Sequence, residues 1–451
     1  MLNPIALLLL SSISTLLEPT NAQNVVTSGN YNSDASVNML WFENVGFNGY
    51  YNIVSKVAGD ETCDCEILTE TNYYFTGPNA PLDEPLSVHF RGPLILHKFA
   101  YYTIDSFSFD NSSTFDDNSI SSTTRSSITD IDTTATTSRS TITLSTIISG
   151  TNTYKDDMQL QQQESADSSS SVWTRHAYYD GSTQAASNVT FMTKQGAESQ
   201  CLGKALSFAD NTGVGKASNA TIPTNNTLIG SDEEFVIFSN VSCPESDPYN
   251  RCGVYREGIP AYEGFYGTTK MFLFEFEAPT ETQENNASFS YYDMPAIWLL
   301  NSQIPRQAQY PWNADCSCWA SGCGEFDIFE VINRTNTNEF YSTFHTYQGT
   351  GALAYGLSAD ANVVRKTNST MAGGVVFDTK GNTVVFMSDF LSFNETLSVD
   401  DVQKAFASLH NNTGEACLSS VTVSYTSTAS SLGSNRSQSS SYAVETTVED
   451  F

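Results

Sequence analysis

Residues 321–332 read Ser321-Gly322-Cys323-Gly324-Glu325-Phe326-Asp327-Ile328-Phe329-Glu330-Val331-Ile332. The acids alternate with large apolar residues, a pattern typical of a strand packed on a core. Because side chains alternate between the two faces of a strand, Glu325 and Asp327 share one face and Glu330 would point to the other. One bulged residue, Ile328 or Phe329, would bring all three acids onto one face. We therefore predict a bulged strand with an acidic outer face.

Three acids on one face are a poor way to stabilise a fold, because like charges repel and desolvate one another. With one bulge, the Cα atoms of Glu325 and Glu330 would stand roughly 13 Å apart. Side chains that lean together would leave the carboxyls about 5 Å apart, the spacing of a retaining glycosidase pair. A solvated acidic strand is the alternative, but the interleaved apolar residues favour a strand with one buried face.

The flanking segment, residues 172–423, is rich in strand signals. Gly381-Asn382 predicts a hairpin turn between two of these strands, and only Val402 to Leu409 has a helical pattern. Regularly spaced strands with few helices predict a β-sandwich or barrel. The predicted strands are Lys270–Glu277, Pro295–Leu300, Glu339–His345, Val375–Phe377 and Thr383–Met387.

Composition divides the chain into five parts. Residues 1–22 hold an apolar run and a small-residue cleavage point, which predict a secretory signal peptide. Residues 24–105 predict a small N-terminal β domain, and 172–423 the large domain. Residues 106–170 and 424–451 are rich in Ser and Thr and predict a disordered linker and a disordered tail.

Several features of the whole chain indicate an exported, glycosylated protein. A formal net charge of −30 excludes a nucleic-acid partner, whose phosphates would be repelled. No run after the leader is long enough for a membrane helix, and the chain ends without the apolar tail of a lipid anchor, so we expect no membrane anchor. Glycosylation sequons occur at Asn111, Asn188, Asn219, Asn225, Asn240, Asn286, Asn333, Asn368, Asn394, Asn411 and Asn435.

The chain has nine cysteines, and their role depends on the compartment of the protein. Cys316, Cys318 and Cys323 lie just before the acids, where either a metal site or disulfides would fit. In an oxidising compartment we expect disulfides that hold the loop before the acidic strand. The sequence therefore predicts neither a metal site nor a cofactor.

Five further residues are candidates for substrate binding. Trp298, Trp312, Trp319 and Tyr341 could stack on sugar rings; Trp298, inside an apolar run, is the one whose pattern also fits a core residue. His345 could hydrogen-bond a carboxylate or a sugar, or could serve the structure alone.

The N-terminal region carries aromatic clusters at Trp41-Phe42, Tyr50-Tyr51 and Tyr73-Tyr74-Phe75. Two interpretations remain open. The region is a carbohydrate-binding module, or it is a small β domain whose aromatic residues form its own core.

The segment from Gly324 to Glu330 resembles the signature of the laminarinase-type, family sixteen glycoside hydrolases. Upstream, Met271–Glu277 and Met294–Leu300 are similar to the preceding strands of that family. The resemblance implies a β-jelly-roll sandwich and a retaining mechanism. It also implies that Glu325 is the nucleophile, that Asp327 assists it, and that Glu330 is the acid/base.

A longer stretch, Cys316-Ser317-Cys318-Trp319 through Glu325, resembles the target-of-SBF cell-wall proteins of yeasts and moulds, as does Glu43-Asn44-Val45-Gly46-Phe47. This resemblance implies a secreted wall enzyme that acts on cell-wall β-1,3-glucan. A wall transglycosylase and a non-catalytic glucan-binding wall protein are the alternatives, and the presence of all three acids favours catalysis.

Overall fold

The computed structural model of the protein describes residues 25–26, 36–43, 45–46, 48–57, 65–107, 172–285, 288–309, 311, 313–346, 357–359, 361–388, 392–409, 413–418, 422–424 and 445–447. The predicted signal peptide, residues 1–22, lies outside these residues. So does nearly all of the predicted linker, 106–170, and of the predicted tail, 424–451.

Strands dominate the described residues. The first fourteen are β1 (Val25–Val26), β2 (Ser36–Val37), β3 (Met39–Glu43), β4 (Gly49–Lys56), β5 (Glu66–Phe75), β6 (Leu86–Arg91), β7 (Leu94–Thr103), β8 (Val172–Asp180), β9 (Ala185–Ser187), β10 (Thr190–Thr193), β11 (Glu198–Ser199), β12 (Gly203–Lys204), β13 (Ser207–Ala209) and β14 (Lys216–Ala217). The others are β15 (Leu228–Ile229), β16 (Glu234–Phe238), β17 (Lys270–Glu277), β18 (Ala296–Asn301), β19 (Glu325–Glu330), β20 (Glu339–Phe344), β21 (Leu357–Ser358), β22 (Asn362–Val364), β23 (Met371–Phe377), β24 (Thr383–Met387), β25 (Thr396–Ser398), β26 (Thr413–Leu418), β27 (Thr422–Ser424) and β28 (Glu445–Thr447).

Helices are few in the part of the chain that the structure describes. There the α-helices are α1 (Gln303–Arg306) and α2 (Val399–Leu409), and 3-10 turns occur at Ala314–Cys316 and Cys318–Ser321. Helix α2 contains the segment predicted to be helical, and β23 and β24 form the predicted hairpin. Within the described residues, no helix is both long enough and apolar enough to cross a membrane.

Two large sheets form the body of the protein. The acid-bearing sheet has the order β14-β13-β10-β16-β6-β18-β19-β20-β22-β2, with β21 paired to β20. The companion sheet has the order β1-β26-β3-β24-β23-β17-β7-β8-β25, with β15 and β9 paired to β7 and β8. The prediction of an all-β sandwich is confirmed.

The core lies between the two sheets and contains many aromatic rings. Phe276 of the companion sheet packs 5.7 Å, between ring centroids, from Phe329 of the acid-bearing sheet. A second apolar cluster covers the outer face of the companion sheet, where Phe406 of α2 meets Phe386 edge-on at 4.8 Å. Two layers of buried aromatic residues therefore support the strand that carries the acids.

The N-terminal strands belong to the same two sheets. Strand β6 lies between β16 and β18, and β7 lies between β17 and β8. This corrects the prediction of a separate small N-terminal β domain. The composition break at residues 106–170 separates β7 from β8 along the chain, yet these strands pair with each other. Among the described residues of 24–105, only β4 and β5 form a small sheet of their own.

Candidate active site

Strand β19 contains the predicted bulge. Its register with β18 pairs Phe329 with Ile297 and Asp327 with Trp298, so Ile328 has no partner in β18. The carbonyl of Ile328 instead accepts a hydrogen bond of 2.6 Å from the Ser342 hydroxyl of β20. The bulge places Asp327 and Glu330 close enough for their carboxyls to hydrogen-bond. One extra residue thus gathers acids that strict alternation would separate.

Glu325 is buried, with 6% of its surface exposed, and both of its carboxylate oxygens accept a hydrogen bond. Trp319 donates from Nε1 to Oε2 at 2.6 Å, and Gln309 donates from Nε2 to Oε1 at 3.0 Å. Burial and the nearby charge of Asp327 raise the pKa of Glu325 to about 8, while His345 and the Trp319 indole oppose that rise. A proton on Asp327 removes the second cause, so Glu325 ionises more easily when its neighbour is neutral.

Asp327 lies between the two glutamates. Burial, and then the charge of Glu330 and the hydrogen bond to it, raise the pKa of Asp327 well above its ordinary value. Nε2 of His345 lies 3.1 Å from Oδ2 of Asp327, and the His345 backbone N–H donates to the Glu325 carbonyl at 2.9 Å. His345 therefore anchors the row of acids from the end of β20.

Glu330 pairs with a cation. Arg91 of β6 donates from one terminal nitrogen to Oε1 of Glu330 at 3.0 Å, and its Nε donates to the Met294 carbonyl at 2.8 Å. The guanidinium also lies 4.2 Å from the centroid of the Tyr291 ring, which is 44% exposed. Arg91 is thus fixed on three sides, and it holds the more accessible acid of the row in place.

The loop before β19 is held by disulfides, as the sequence predicted. Cys318 and Cys323 are bonded to each other, and Cys65, next to the start of β5, is bonded to Cys316. Ser317 caps the second 3-10 turn by accepting from the Trp319 backbone N–H. These links fix the indole that contacts Glu325. Among the described residues, no group of three His, Cys, Asp or Glu could hold a metal ion.

The other candidate residues occupy different positions. Trp298 lies opposite Asp327 in β18, so its ring is on the same face of the sheet as the acids, where it is 6% exposed and stacks on His89 at 5.0 Å. Tyr341 lies opposite Glu330 in β20, and its hydroxyl donates to Glu339 at 2.5 Å. Trp312 lies outside the described residues.

Two contacting residues were not predicted from the sequence, Arg91 and Gln309. Arg91 had a usable signal, because Ser87, His89 and Arg91 alternate along the buried strand β6, where polar residues are unexpected. Gln309 had none, since it lies in a loop after α1 and reaches Glu325 only through the fold.

The arrangement suits a two-step acid and nucleophile reaction. A carboxyl group that accepts from two N–H donors lies at one end of the row, and a pair of carboxyls hydrogen-bonded to each other lies at the other. Donors fixed on both oxygens of Glu325 orient it without a cost in reorganisation. The row thus places an oriented carboxyl next to a hydrogen-bonded carboxyl pair.

Comparison with known proteins gives a consistent result. The family models described as cell wall protein YJL171C/Tos1, C-terminal and N-terminal, match residues 171–405 and 38–104. The chain is 46% identical over 399 residues to a Saccharomyces cerevisiae protein named probable circularly permuted 1,3-beta-glucanase YJL171C, covering 88% of this chain and 86% of that protein.

Two further relatives carry similar names. A Candida albicans protein named probable circularly permuted 1,3-beta-glucanase PGA52 is 43% identical over 392 residues, 86% of this chain and 84% of that protein. The Saccharomyces cerevisiae protein named probable circularly permuted 1,3-beta-glucanase TOS1 is 32% identical over 457 residues, 88% of this chain and 95% of that protein. No solved structure matches the chain.

Proposed function

Because the chain belongs to the YJL171C/Tos1 cell wall protein family, we propose that it is a secreted wall glycoside hydrolase that cleaves β-1,3-glucan with retention of configuration. The names of its relatives support the substrate and the reaction class. The observation that carries the mechanism is the connected row Glu325, Asp327 and Glu330 on the outer face of β19.

In the first step, the Glu325 carboxylate attacks the anomeric carbon. Trp319 and Gln309 hold the two oxygens of this carboxylate at 2.6 and 3.0 Å. Glu330 gives its proton to the glycosidic oxygen as the carbon–oxygen bond breaks, and the shortened glucan leaves. The bonding electron pair stays on the leaving oxygen, and a glycosyl ester of Glu325 forms.

In the second step, Glu330 acts as a base. It takes a proton from water, whose oxygen attacks the anomeric carbon and releases the Glu325 carboxylate. Asp327 supports both steps, because the proton it holds is shared with Glu330 through their hydrogen bond. When a sugar hydroxyl replaces water, the same step transfers the glycosyl group.

The N-terminal strands are part of this enzyme. Arg91, which holds Glu330, comes from β6, and the β5 cysteine Cys65 is bonded to the loop that carries Trp319. We propose that the chain shares the permuted strand order named for its relatives, in which an early segment of the chain supplies interior strands of both sheets.

Purified full-length protein incubated with laminarin tests the proposal. Shortened oligosaccharides whose first-formed reducing ends are β-anomers by NMR support it, and Glu325→Gln should give none. Labelled acceptor oligosaccharides in the same assay separate hydrolysis from transfer. Initial α-anomers would contradict the retaining mechanism, and binding without any cleavage would support a glucan-binding wall protein.

A further inference from the structure

The hairpin of β4 and β5 has two distinct faces. Tyr51 and Tyr73 pair across the strands on the inner face, where both are buried and their rings stack at 4.8 Å. The Tyr51 hydroxyl donates to the buried Glu84 at 2.7 Å, which joins this face to the body of the protein. The inner face thus accounts for part of the aromatic cluster as core.

The outer face has a different composition. Tyr50 lies opposite Tyr74, with ring centroids 6.1 Å apart, and Tyr74 is 50% exposed. Asn52 lies opposite Asn72 on one side of this aromatic pair, and the hydrogen-bonded side chains of Asn48 and Thr76 lie on the other. These three rungs form an amide–tyrosine–amide ladder of uncharged side chains, on a protein whose net charge is −30.

The ladder is attached to the loop that holds the nucleophile. The Asn52 backbone N–H donates to the Ser321 hydroxyl at 2.9 Å, and the Cys65–Cys316 disulfide ties the start of β5 to the first 3-10 turn of that loop. Ser321 ends the turn that contains Trp319, which donates to Glu325. A ligand on the ladder would therefore lie close to the loop that orders the active site.

We propose that the outer face of the β4–β5 hairpin is a second binding surface for a β-1,3-glucan chain. Its chemistry fits a neutral polysaccharide, because tyrosine rings cover the C–H faces of sugars and amides donate to and accept from hydroxyls. An uncharged ladder on an acidic protein disfavours anionic polymers and leaves neutral glucan unopposed. The choice of β-1,3-glucan as the ligand rests on the proposed function, since a glucan chain bound on the ladder would extend to the acidic strand.

The test uses the full-length protein with Glu325→Gln, so that glucan is bound without being cleaved. Its binding to particulate curdlan, a linear β-1,3-glucan, is measured by depletion from solution, with cellulose and chitin alongside. Adding Tyr50→Ala and Tyr74→Ala should weaken curdlan binding about tenfold. Tyr74→Phe, which keeps the ring, should bind like the parent. Tyr249→Ala is the matched control, because Tyr249 is 61% exposed outside the hairpin.

A second measurement separates this proposal from the proposed function. With Glu325 intact, the double tyrosine variant should degrade insoluble curdlan more slowly while cleaving short soluble laminari-oligosaccharides at the parental rate. Equal curdlan binding by the double variant and by Tyr249→Ala, with unchanged melting temperatures, would overturn the hairpin surface while leaving the glucanase activity standing. Preferential binding to cellulose or chitin would also overturn it. A protein that binds curdlan through the tyrosines but cleaves no glucan would uphold the surface and refute the enzyme.

Discussion

Nε1 of Trp319 donates a 2.6 Å hydrogen bond to Oε2 of Glu325, and the indole belongs to a turn closed by the Cys318–Cys323 disulfide. A short hydrogen bond to a carboxylate is a strong one, and the Glu325 carboxyl that accepts it is buried. The indole predicted to be a sugar platform therefore also positions the proposed nucleophile.

We expect Trp319→Phe to lower kcat roughly 100-fold, because Glu325 loses the donor that holds it against the anomeric carbon. The ring is kept, so a residue that acted only by stacking on sugar would give a change mainly in KM. Steady-state kinetics on laminari-oligosaccharides distinguish the two. Trp41→Phe, in the apolar cluster beyond the companion sheet, is the control and should leave kcat near that of the wild type.

Replacing the Cys318–Cys323 pair by serines should loosen the turn that carries Trp319. The loop between the two cysteines is short, so the loss of stability is about 2 kcal/mol by chain entropy. Activity should fall further than stability alone explains. Serines in place of Cys243 and Cys252, which are bonded to each other outside the loop that carries Trp319, should cost stability with little effect on kcat. Zinc bound in stoichiometric amount by the native protein would contradict the account of these cysteines.

The raised pKa of Glu325 predicts how stability depends on pH. Burial and Asp327 raise this pKa from 4.5 to about 8, so the folded protein holds a proton that the unfolded chain releases. The stabilising contribution is fully present below pH 4.5 and is lost as the pH rises through about 8. Glu325→Gln, which cannot ionise, should flatten this decline in urea unfolding at pH 5 and pH 8. Glu257→Gln, at an exposed glutamate, should not; equal slopes in both variants would place the titrating group elsewhere.

Arg91→Leu should slow the reaction in a way that depends on the leaving group. Without the guanidinium, Glu330 loses the partner that holds Oε1, and proton delivery to the glycosidic oxygen becomes less well aligned. We expect at least a tenfold loss in kcat for laminari-oligosaccharides, a part of the roughly 100- to 10,000-fold that general acid catalysis contributes, and a smaller loss for an activated aryl β-glycoside. Equal losses on both substrates would show that Arg91 serves folding or binding instead.

Much of the fold could be predicted because it follows local rules. The alternation in Lys270–Glu277 gave a strand with the bounds that the structure has, and the need to gather three acids predicted the bulge now seen at Ile328. The predicted domain boundary near residue 105 was wrong, because amino-acid composition indicates which segments are polar but does not show which strands pair with each other. Strands β7 and β8 lie on either side of the polar stretch and still share a ladder.

The partners of the acids were harder to predict than the acids themselves. Arg91 and Gln309 are 239 and 16 residues from the glutamates they contact, and sequence spacing alone does not show which face of β6 meets β19. Cysteine counting predicted that the loop is held by disulfides, but the bond between Cys65 and Cys316 spans 251 residues and required the fold. The acidic motif could thus be predicted from the sequence, whereas the residues that contact it across long sequence distances could not.

The most direct test of the central claim, that Glu325 is the nucleophile and Glu330 the acid/base, is azide rescue of Glu330→Ala. An aryl β-laminaribioside with a good leaving group needs little protonation, so its first step should survive and the glycosyl ester of Glu325 should accumulate. The account predicts that mass spectrometry finds this ester on the peptide containing Glu325, and that azide restores turnover and yields a β-glycosyl azide. An α-glycosyl azide would contradict the account. So would a folded Glu330→Ala variant that gives neither the ester nor azide rescue, if the parent protein binds laminarin without cleaving it.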